Sequence, residues 1–191
     1  DIPEEYAQNH EQIMAMDEDE LLVTLEEYCE KYPDNLYIEY ELASLLYKKG
    51  QYDDSQVLMR QVAFKLPGYI PLETFLAAIE RERGNYEASE KKLVELLELN
   101  RQSTYVLSSF SRLELKRFND NKSLEYMEAA YALEPDSIDV LIDLARSYYY
   151  NQMDQELSKL MEKILNHPDA ASYQNDIQEI RGIIDGTVQW R

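Results

Sequence analysis

The chain carries few side chains of the types that do chemistry, and their spacing defines no reaction. Its only histidines, His10 and His167, are far apart, and neither lies in a zinc-binding motif. The acidic run at 17–20 could attract a hard cation, but it lacks the spaced oxygen ligands and turn glycine of a calcium loop. The run at 119–121 fails the same test. No phosphate-binding glycine loop, nucleophile elbow or Ser/His/Asp arrangement is recognisable, so we predict a non-enzyme without metal or cofactor.

The composition predicts an all-α protein. The chain has 191 residues, of which 45% are hydrophobic, and it contains 16 tyrosines but only 5 glycines and 6 prolines. This mixture favours long helices over strands and turns. The single cysteine, Cys29, excludes an internal disulfide, and we expect it to be a half-buried helix residue.

The charge limits the classes of partner. A formal net charge of −19 disfavours nucleic acid and anionic membranes, both of which require a basic face. The same charge favours basic segments of protein partners. No stretch approaches the roughly 18 uninterrupted apolar residues of a membrane span, so we expect no membrane insertion. The sequence does not define the oligomeric state.

The two ends leave open whether this is a fragment of a longer protein. The chain begins with Asp1 rather than methionine, which is compatible with a removed leader or a preceding domain. It ends in Trp190-Arg191, which resembles the beginning of a further segment. The compartment is not determined, although the cytoplasm is favoured.

A repeated pattern organises the rest of the chain. The segment KKGQYDDS at 48–55 and the segment ERGNYEAS at 82–89 match in character at one constant offset, so that Gly50 corresponds to Gly84. Pro33 and Pro67 share that offset, and Pro135 lies two periods further on. Several units in one register predict a helical array built from repeated hairpins.

Each unit has the pattern of two helices. Over 36–49 the apolar residues recur with helical spacing, which leaves one buried face and one wet face. Gly50 should end this helix because it can adopt a left-handed conformation, and Pro67 should end the second helix. The small residues Ala43 and Ser55 fall where the two helices would approach most closely.

These features resemble the tetratricopeptide repeat, a family of 34-residue helix–turn–helix units. The resemblance implies a right-handed superhelical solenoid of antiparallel helix pairs. The expected organisation is a degenerate leading repeat at 1–35, repeats at 36–69, 70–103, 104–137 and 138–171, and a capping helix with a tail at 172–191. The capping helix is expected from Ala170 to Asp185. Phe118 and Gln152 replace the turn glycine in the third and fourth repeats, so we expect the third turn to differ in shape.

The resemblance also implies a concave groove lined by the first helix of each repeat. Tyrosine supplies large contact area with a polar tip, and arginine supplies forked donors, so both suit peptide binding. The candidate groove residues are Tyr37, Tyr40, Glu41, Tyr47, Phe75, Arg81, Tyr105, Arg112, Asp143, Arg146 and Tyr149.

Other roles for these residues stay open. Tyrosines at helical spacing also serve as packing between repeats, Arg146 could do no more than pair with Asp143, and Arg81 has no acid three or four residues away and is then a solvated side chain. The lysine and asparagine clamp with which some family members hold chaperone C-termini is absent, because Tyr40 and Phe75 occupy that surface.

Three functions are compatible with the sequence. The leading one is a non-catalytic interaction module that binds a peptide or an extended protein segment in the groove. The second is a regulatory or scaffolding part of a larger multidomain enzyme. The third is a structural protein that self-assembles through its convex face or an open end.

Overall fold

The structure, a computed structural model, describes residues 2–188. Every regular element in this part of the chain is a helix, which confirms the all-α prediction. The residues form two compact units, the first ending at Asn85 and the second beginning at Tyr86. Trp190-Arg191, singled out in the sequence, lies outside the described residues. The α-helices, in chain order, are α1 (Glu4–Met14), α2 (Glu18–Lys31), α3 (Leu36–Lys48), α4 (Tyr52–Lys65), α5 (Ile70–Glu82), α6 (Tyr86–Leu99), α7 (Thr104–Lys116), α8 (Asp120–Leu133), α9 (Ile138–Tyr150), α10 (Asp154–Leu165) and α11 (Gln174–Ile184).

The helix starts follow the period of the sequence. The first helices α3, α5, α7 and α9 begin at positions 36, 70, 104 and 138. The second helices α2, α4, α6, α8 and α10 begin at 18, 52, 86, 120 and 154. Both series advance by the same constant step, which is the length of one hairpin with its two turns. The pattern at 36–49 thus becomes α3, whose start is capped by the Asn35 side chain accepting from the Ile38 amide at 3.2 Å.

The turn between the paired helices has one conformation in every full repeat. Gly50 and Gly84 have φ values of 76° and 80°, and Phe118 and Gln152 adopt the same left-handed region at 62° and 58°. The residue after each of them donates its amide to a carbonyl five residues back, as from Gln51 to Leu46 (2.8 Å), Asn85 to Glu80 (2.8 Å), Asn119 to Glu114 (2.9 Å) and Met153 to Tyr148 (3.0 Å). The expectation of a differently shaped third turn is therefore wrong: the repeat geometry imposes the turn on Phe118.

The core of the first unit lies between its helix layers. One cluster joins Tyr6 and Ile13 of α1 to Leu25 of α2 and to α3, and a second joins α3, α4 and α5. Ser55 is buried and donates its hydroxyl to the carbonyl of Ala43 at 2.7 Å. The two small residues therefore do meet at a close helix approach. Cys29 is half-buried, and burial raises the pKa of its thiol to about 11.

The core of the second unit runs through α7, α8, α9, α10 and α11. At its centre three buried serines form a closed hydrogen-bonded triangle. The oxygen distances are 2.8 Å from Ser111 to Ser123, 2.8 Å from Ser123 to Ser147 and 3.2 Å from Ser111 to Ser147. Each hydroxyl can donate and accept, so the group is satisfied without water. We call it the serine triangle.

The predicted C-terminal helix is present in two parts. A short 3₁₀ segment covers Ala170–Tyr173, and α11 continues to Ile184. Gly186, at φ 71°, follows it in the left-handed conformation. α11 packs against α9, so it lies beside the first helix of the preceding hairpin.

Candidate protein-interaction surfaces

The first helices of the first unit expose a stripe of aromatic rings. Tyr40 on α3 is 37% exposed, and its ring meets that of Phe75 on α5 edge-on at 6.1 Å. Phe75 also lies 5.1 Å from the ring of Tyr47, which is half-buried. Helical spacing places Tyr40 and Tyr47 on one face of α3. We call Tyr40, Tyr47 and Phe75 the aromatic stripe.

A buried arginine supports this stripe. Arg81 is only 3% exposed, and its Nη2 donates to the hydroxyl of Tyr47 at 3.0 Å. Its Nε donates to Oε1 of Glu82 at 2.8 Å. The expectation that Arg81 is solvated is therefore wrong: an acid one residue away and a tyrosine of the neighbouring helix satisfy it. The guanidinium holds the Tyr47 ring in place and does not itself face solvent.

A polar network connects α1 to the same face of α3. Nε2 of His10 lies 3.0 Å from Oε1 of Glu41 and 3.2 Å from the hydroxyl of Tyr37, while the hydroxyl of Tyr6 donates to Oε2 of Glu41. Burial and the nearby Glu41 carboxylate raise the pKa of Tyr37 to about 12. The pKa of Tyr6 is also raised, mainly by burial and secondly by its hydrogen bond to Glu41. Tyr37 and Glu41 are thus engaged within the protein, at the edge of the aromatic stripe.

The first helices of the second unit carry an ion-pair network. Nε of Arg112 donates to both oxygens of Asp143, at 2.9 and 3.1 Å, and its Nη2 lies 2.9 Å from Oδ1. Asp143 is buried, so its charge requires this partner. The pair joins α7 to α9.

Arg146 extends the network to α11. It is buried on α9, and its Nη1 donates to Oδ1 of Asp143 at 2.6 Å, while its Nη2 reaches Oε2 of Glu179 at 3.3 Å. Asp176 lies further away, at 3.8 Å. The arginine therefore pairs with Asp143, as the sequence allowed, and also with acids of the terminal helix.

The tyrosines of the second unit divide between exposed and packed positions. Tyr105 on α7 is well exposed, whereas Tyr149 on α9 packs against the core. The hydroxyl of Tyr173 donates to Oδ2 of Asp139 at 3.0 Å, and burial together with that carboxylate raises the pKa of Tyr173 to about 12. The surface around Arg112, Asp143 and Arg146 is therefore polar and highly charged.

The predicted groove residues belong to two units, and each unit presents its own set. The first unit holds Tyr37, Tyr40, Glu41, Tyr47, Phe75 and Arg81, and the second holds Tyr105, Arg112, Asp143, Arg146 and Tyr149. Sequence reasoning missed Tyr6, His10, Tyr173 and Glu179, which lie on or beside α1, assigned to the degenerate leading repeat, and α11, assigned as the capping helix. Their position in the chain could have identified them, because α1 precedes a second helix and α11 follows one, as first helices do.

Residues 2–188 show neither a metal-binding cluster nor a membrane-spanning helix. Among residues 2–188 there is no group of three or more histidine, cysteine or acidic side chains placed to hold a metal ion. In the same residues, no helix is both long enough and apolar enough to cross a membrane. The arrangement offers contact area and charge.

Repeated helical hairpins of constant period, joined by one type of turn, define a helical-repeat fold of the tetratricopeptide type. Comparison with known proteins agrees at the level of the fold. No known family profile matches the sequence, and no curated protein matches it either. Many solved structures do match, and this confirms the predicted fold.

Three of these structures illustrate the similarity. A tetratricopeptide repeat protein from Parabacteroides merdae is 18% identical over 93% of this chain and 67% of that one, with a TM-score of 0.66. A thermophilic tetratricopeptide repeat protein from Thermus thermophilus is 17% identical over 90% and 91%, with a TM-score of 0.62. MamA from Desulfovibrio magneticus is 13% identical over 91% and 99%, with a TM-score of 0.55. The fold that they share with this chain is typical of protein-interaction modules.

Proposed function

We propose that the chain is a non-catalytic protein-interaction module that binds an extended peptide segment on the aromatic stripe of its first unit. One observation carries the proposal: rings from two successive first helices contact each other while part of their surface stays open to solvent. Aromatic side chains dominate binding hot spots because they bury a large area at a small entropy cost.

The stripe has the rigidity that a binding site needs. Phe75 is in contact with both Tyr40 and Tyr47, and the buried Arg81 holds the Tyr47 hydroxyl. Rings that are fixed before binding lose little freedom when a peptide covers them. An apolar peptide side chain laid between Tyr40 and Phe75 would bury both rings further, and the tyrosine hydroxyl would stay available for a peptide carbonyl.

The charge of the protein favours peptides with basic residues. The formal net charge is −19, and the partly buried carboxylate of Glu41 follows Tyr40 in α3, on the side of the helix that contacts α1. An acidic protein attracts basic partners over about one Debye length and repels acidic ones. We therefore expect preferred ligands to combine an apolar anchor with flanking lysine or arginine, and their affinity to fall as salt is added.

Selection from a random peptide display library on the purified chain tests the proposal. Selected peptides would be synthesised and titrated by calorimetry against the wild-type protein and against Tyr40→Ala and Phe75→Ala. Each substitution should weaken binding at least about tenfold, equivalent to about 1.4 kcal/mol, because each removes a central ring. Far-ultraviolet circular dichroism would verify that the variants fold.

Phe64→Ala is the matched control. Phe64 is an aromatic residue of the same unit, is 87% exposed, and lies on the second helix α4. Its loss should leave the affinity within about twofold of the wild-type value. Equal affinity of the wild-type, Tyr40→Ala and Phe75→Ala proteins for the selected peptides would exclude the aromatic stripe as the binding site.

A further inference from the structure

Among residues 2–188, one face of α10 is left uncovered by other helices. A groove of ≈ 710 Å³ follows this helix along its whole length and reaches the end of α11. Its apolar floor is interrupted by a few polar side chains, and the lining residues are Asp154, Leu157, Ser158, Met161, Glu162, Leu165, Asn166 and Ile184. The spacing of the α10 members is that of one helical stripe. We call this surface the α10 groove.

The equivalent face of the preceding second helix is covered. Met127 on α8 is the counterpart of Met161 in the preceding repeat, and it is completely buried in the core that α9 and α10 complete. Tyr131 is likewise the counterpart of Leu165, and the ammonium of Lys163 on α10 lies 5.3 Å from its ring. Met161, by contrast, is only partly buried, and Leu165 is 44% exposed. The fold therefore shows what covers such a face: a helix of the next hairpin.

The turn at the end of α11 has the same conformation as the turns that precede the second helices α4, α6, α8 and α10. Gly186 is left-handed, and Thr187 donates its amide to the carbonyl of Gly182 at 2.8 Å, five residues back. The same bond joins Met153 to Tyr148 before α10. α11 thus occupies the position of a first helix, and the α10 groove lies where the second helix of that pair would pack.

We propose that the α10 groove binds one amphipathic helix of a partner protein, with basic residues flanking its apolar face. The bound helix would take the place of the second helix paired with α11. Because α10 has 12 residues, the contact would extend about 18 Å, or about three turns of the bound helix. Apolar residues spaced at i, i+3 or i+4, and i+7 would meet Met161, Leu165 and Ile184.

The charge at the border of the groove identifies the class of helix. Asp154 and Glu162 lie at the groove and are exposed, so they favour lysine or arginine on the partner. A second copy of this chain is a poor occupant, because each copy carries a formal net charge of −19. The helix α1, which a second copy could offer, begins with Glu4 and Glu5 and adds Glu11.

The test uses two designed 14-residue peptides with the same amphipathic leucine pattern. One carries lysine at all its polar positions, and the other carries glutamate. Fluorescence anisotropy of labelled peptide would give the affinity for the purified chain, and circular dichroism would report peptide helicity on binding. We expect the lysine peptide to bind and become helical, and the glutamate peptide to bind at least tenfold more weakly.

Neutral substitutions locate the site without changing the charge. Leu165→Gln and Ile184→Gln each remove an exposed apolar side chain of the groove, and together they should weaken binding of the lysine peptide about tenfold. Val94→Gln is the matched control, because Val94 is also 44% exposed in the second unit but lies on α6 outside the groove. It should bind like the wild type.

Three results would overturn the proposal. They are wild-type affinity in the Leu165→Gln, Ile184→Gln double variant, equal binding of the two peptides, and a concentration-dependent dimer in sedimentation that the double variant abolishes. The last would show a second copy in the groove. The substitutions lie far in the sequence from Tyr40 and Phe75, so failure here leaves the peptide-binding proposal for the first unit standing.

Discussion

The left-handed conformation of Phe118 predicts that a glycine at this position stabilises the protein. Phe118 has a φ of 62° and is 72% exposed, so its ring contributes little burial while its Cβ bears the steric cost of that conformation. The cost is about 1–2 kcal/mol for a residue with a Cβ. Glycine avoids it but loses about 0.5–1 kcal/mol through the greater freedom of the unfolded chain. We therefore expect Phe118→Gly to raise the free energy of unfolding by about 0.5–1 kcal/mol.

Urea unfolding followed by circular dichroism at 222 nm measures this change. Phe118→Gly should move the midpoint to higher urea with an unchanged m-value. Phe118→Ala removes the ring but keeps a Cβ at positive φ, so its stability should stay close to that of the wild type.

Gly84→Ala provides the converse experiment. Gly84 has a φ of 80°, and a Cβ added there would meet no atom within 4 Å, so any loss is conformational. We expect this variant to be about 1 kcal/mol less stable than the wild type. If Phe118→Gly proves no more stable than Phe118→Ala, and Gly84→Ala costs nothing, the reasoning about the turn is refuted.

Two further predictions concern hydrogen-bonded polar side chains. Ser123→Val should lower the free energy of unfolding by about 1–3 kcal/mol in the same urea assay, because it removes one corner of the serine triangle and crowds a fully buried position; stability equal to wild type would contradict this. Tyr37, whose pKa is raised from 10.0 to about 12, should ionise in the unfolded chain before it does so in the folded one. Its contribution to stability is therefore complete below pH 10 and is lost as the pH rises through 12. Absorbance at 295 nm, compared between the wild type and Tyr37→Phe, would show this tyrosine titrating near pH 12, and a component near pH 10 would count against it.

The repeat made the hairpins predictable. Proline spacing, the glycine turns and the helical period of apolar residues predicted the bounds of α3 and the end of α4 to within about two residues. These signals are local, since each depends on a few neighbouring residues in the chain. The third turn escaped prediction because its conformation is imposed by the helices on either side of it, which override the preference of Phe118.

The candidate sites were less predictable because their partners come from other helices. Helical spacing could place Arg81 and Arg112 on first helices. It could not show that Arg81 donates a hydrogen bond to Tyr47, or that Arg112 donates to Asp143. Such pairs join residues 31 to 34 positions apart, in successive repeats. Only the packing of neighbouring hairpins brings them together.

The sequence by itself determined an acidic, all-α chain of repeated hairpins and pointed to no reaction, because composition, periodicity and turn residues are properties of short segments. The tertiary structure decided which tyrosines are exposed to solvent and which arginines form ion pairs within the protein. It also decided that one face of α10 has no covering helix in the described residues. These outcomes depend on which surfaces meet when hairpins stack. The physical reason is that burial and ion pairing depend on distances between helices, and the sequence of one helix does not determine those distances.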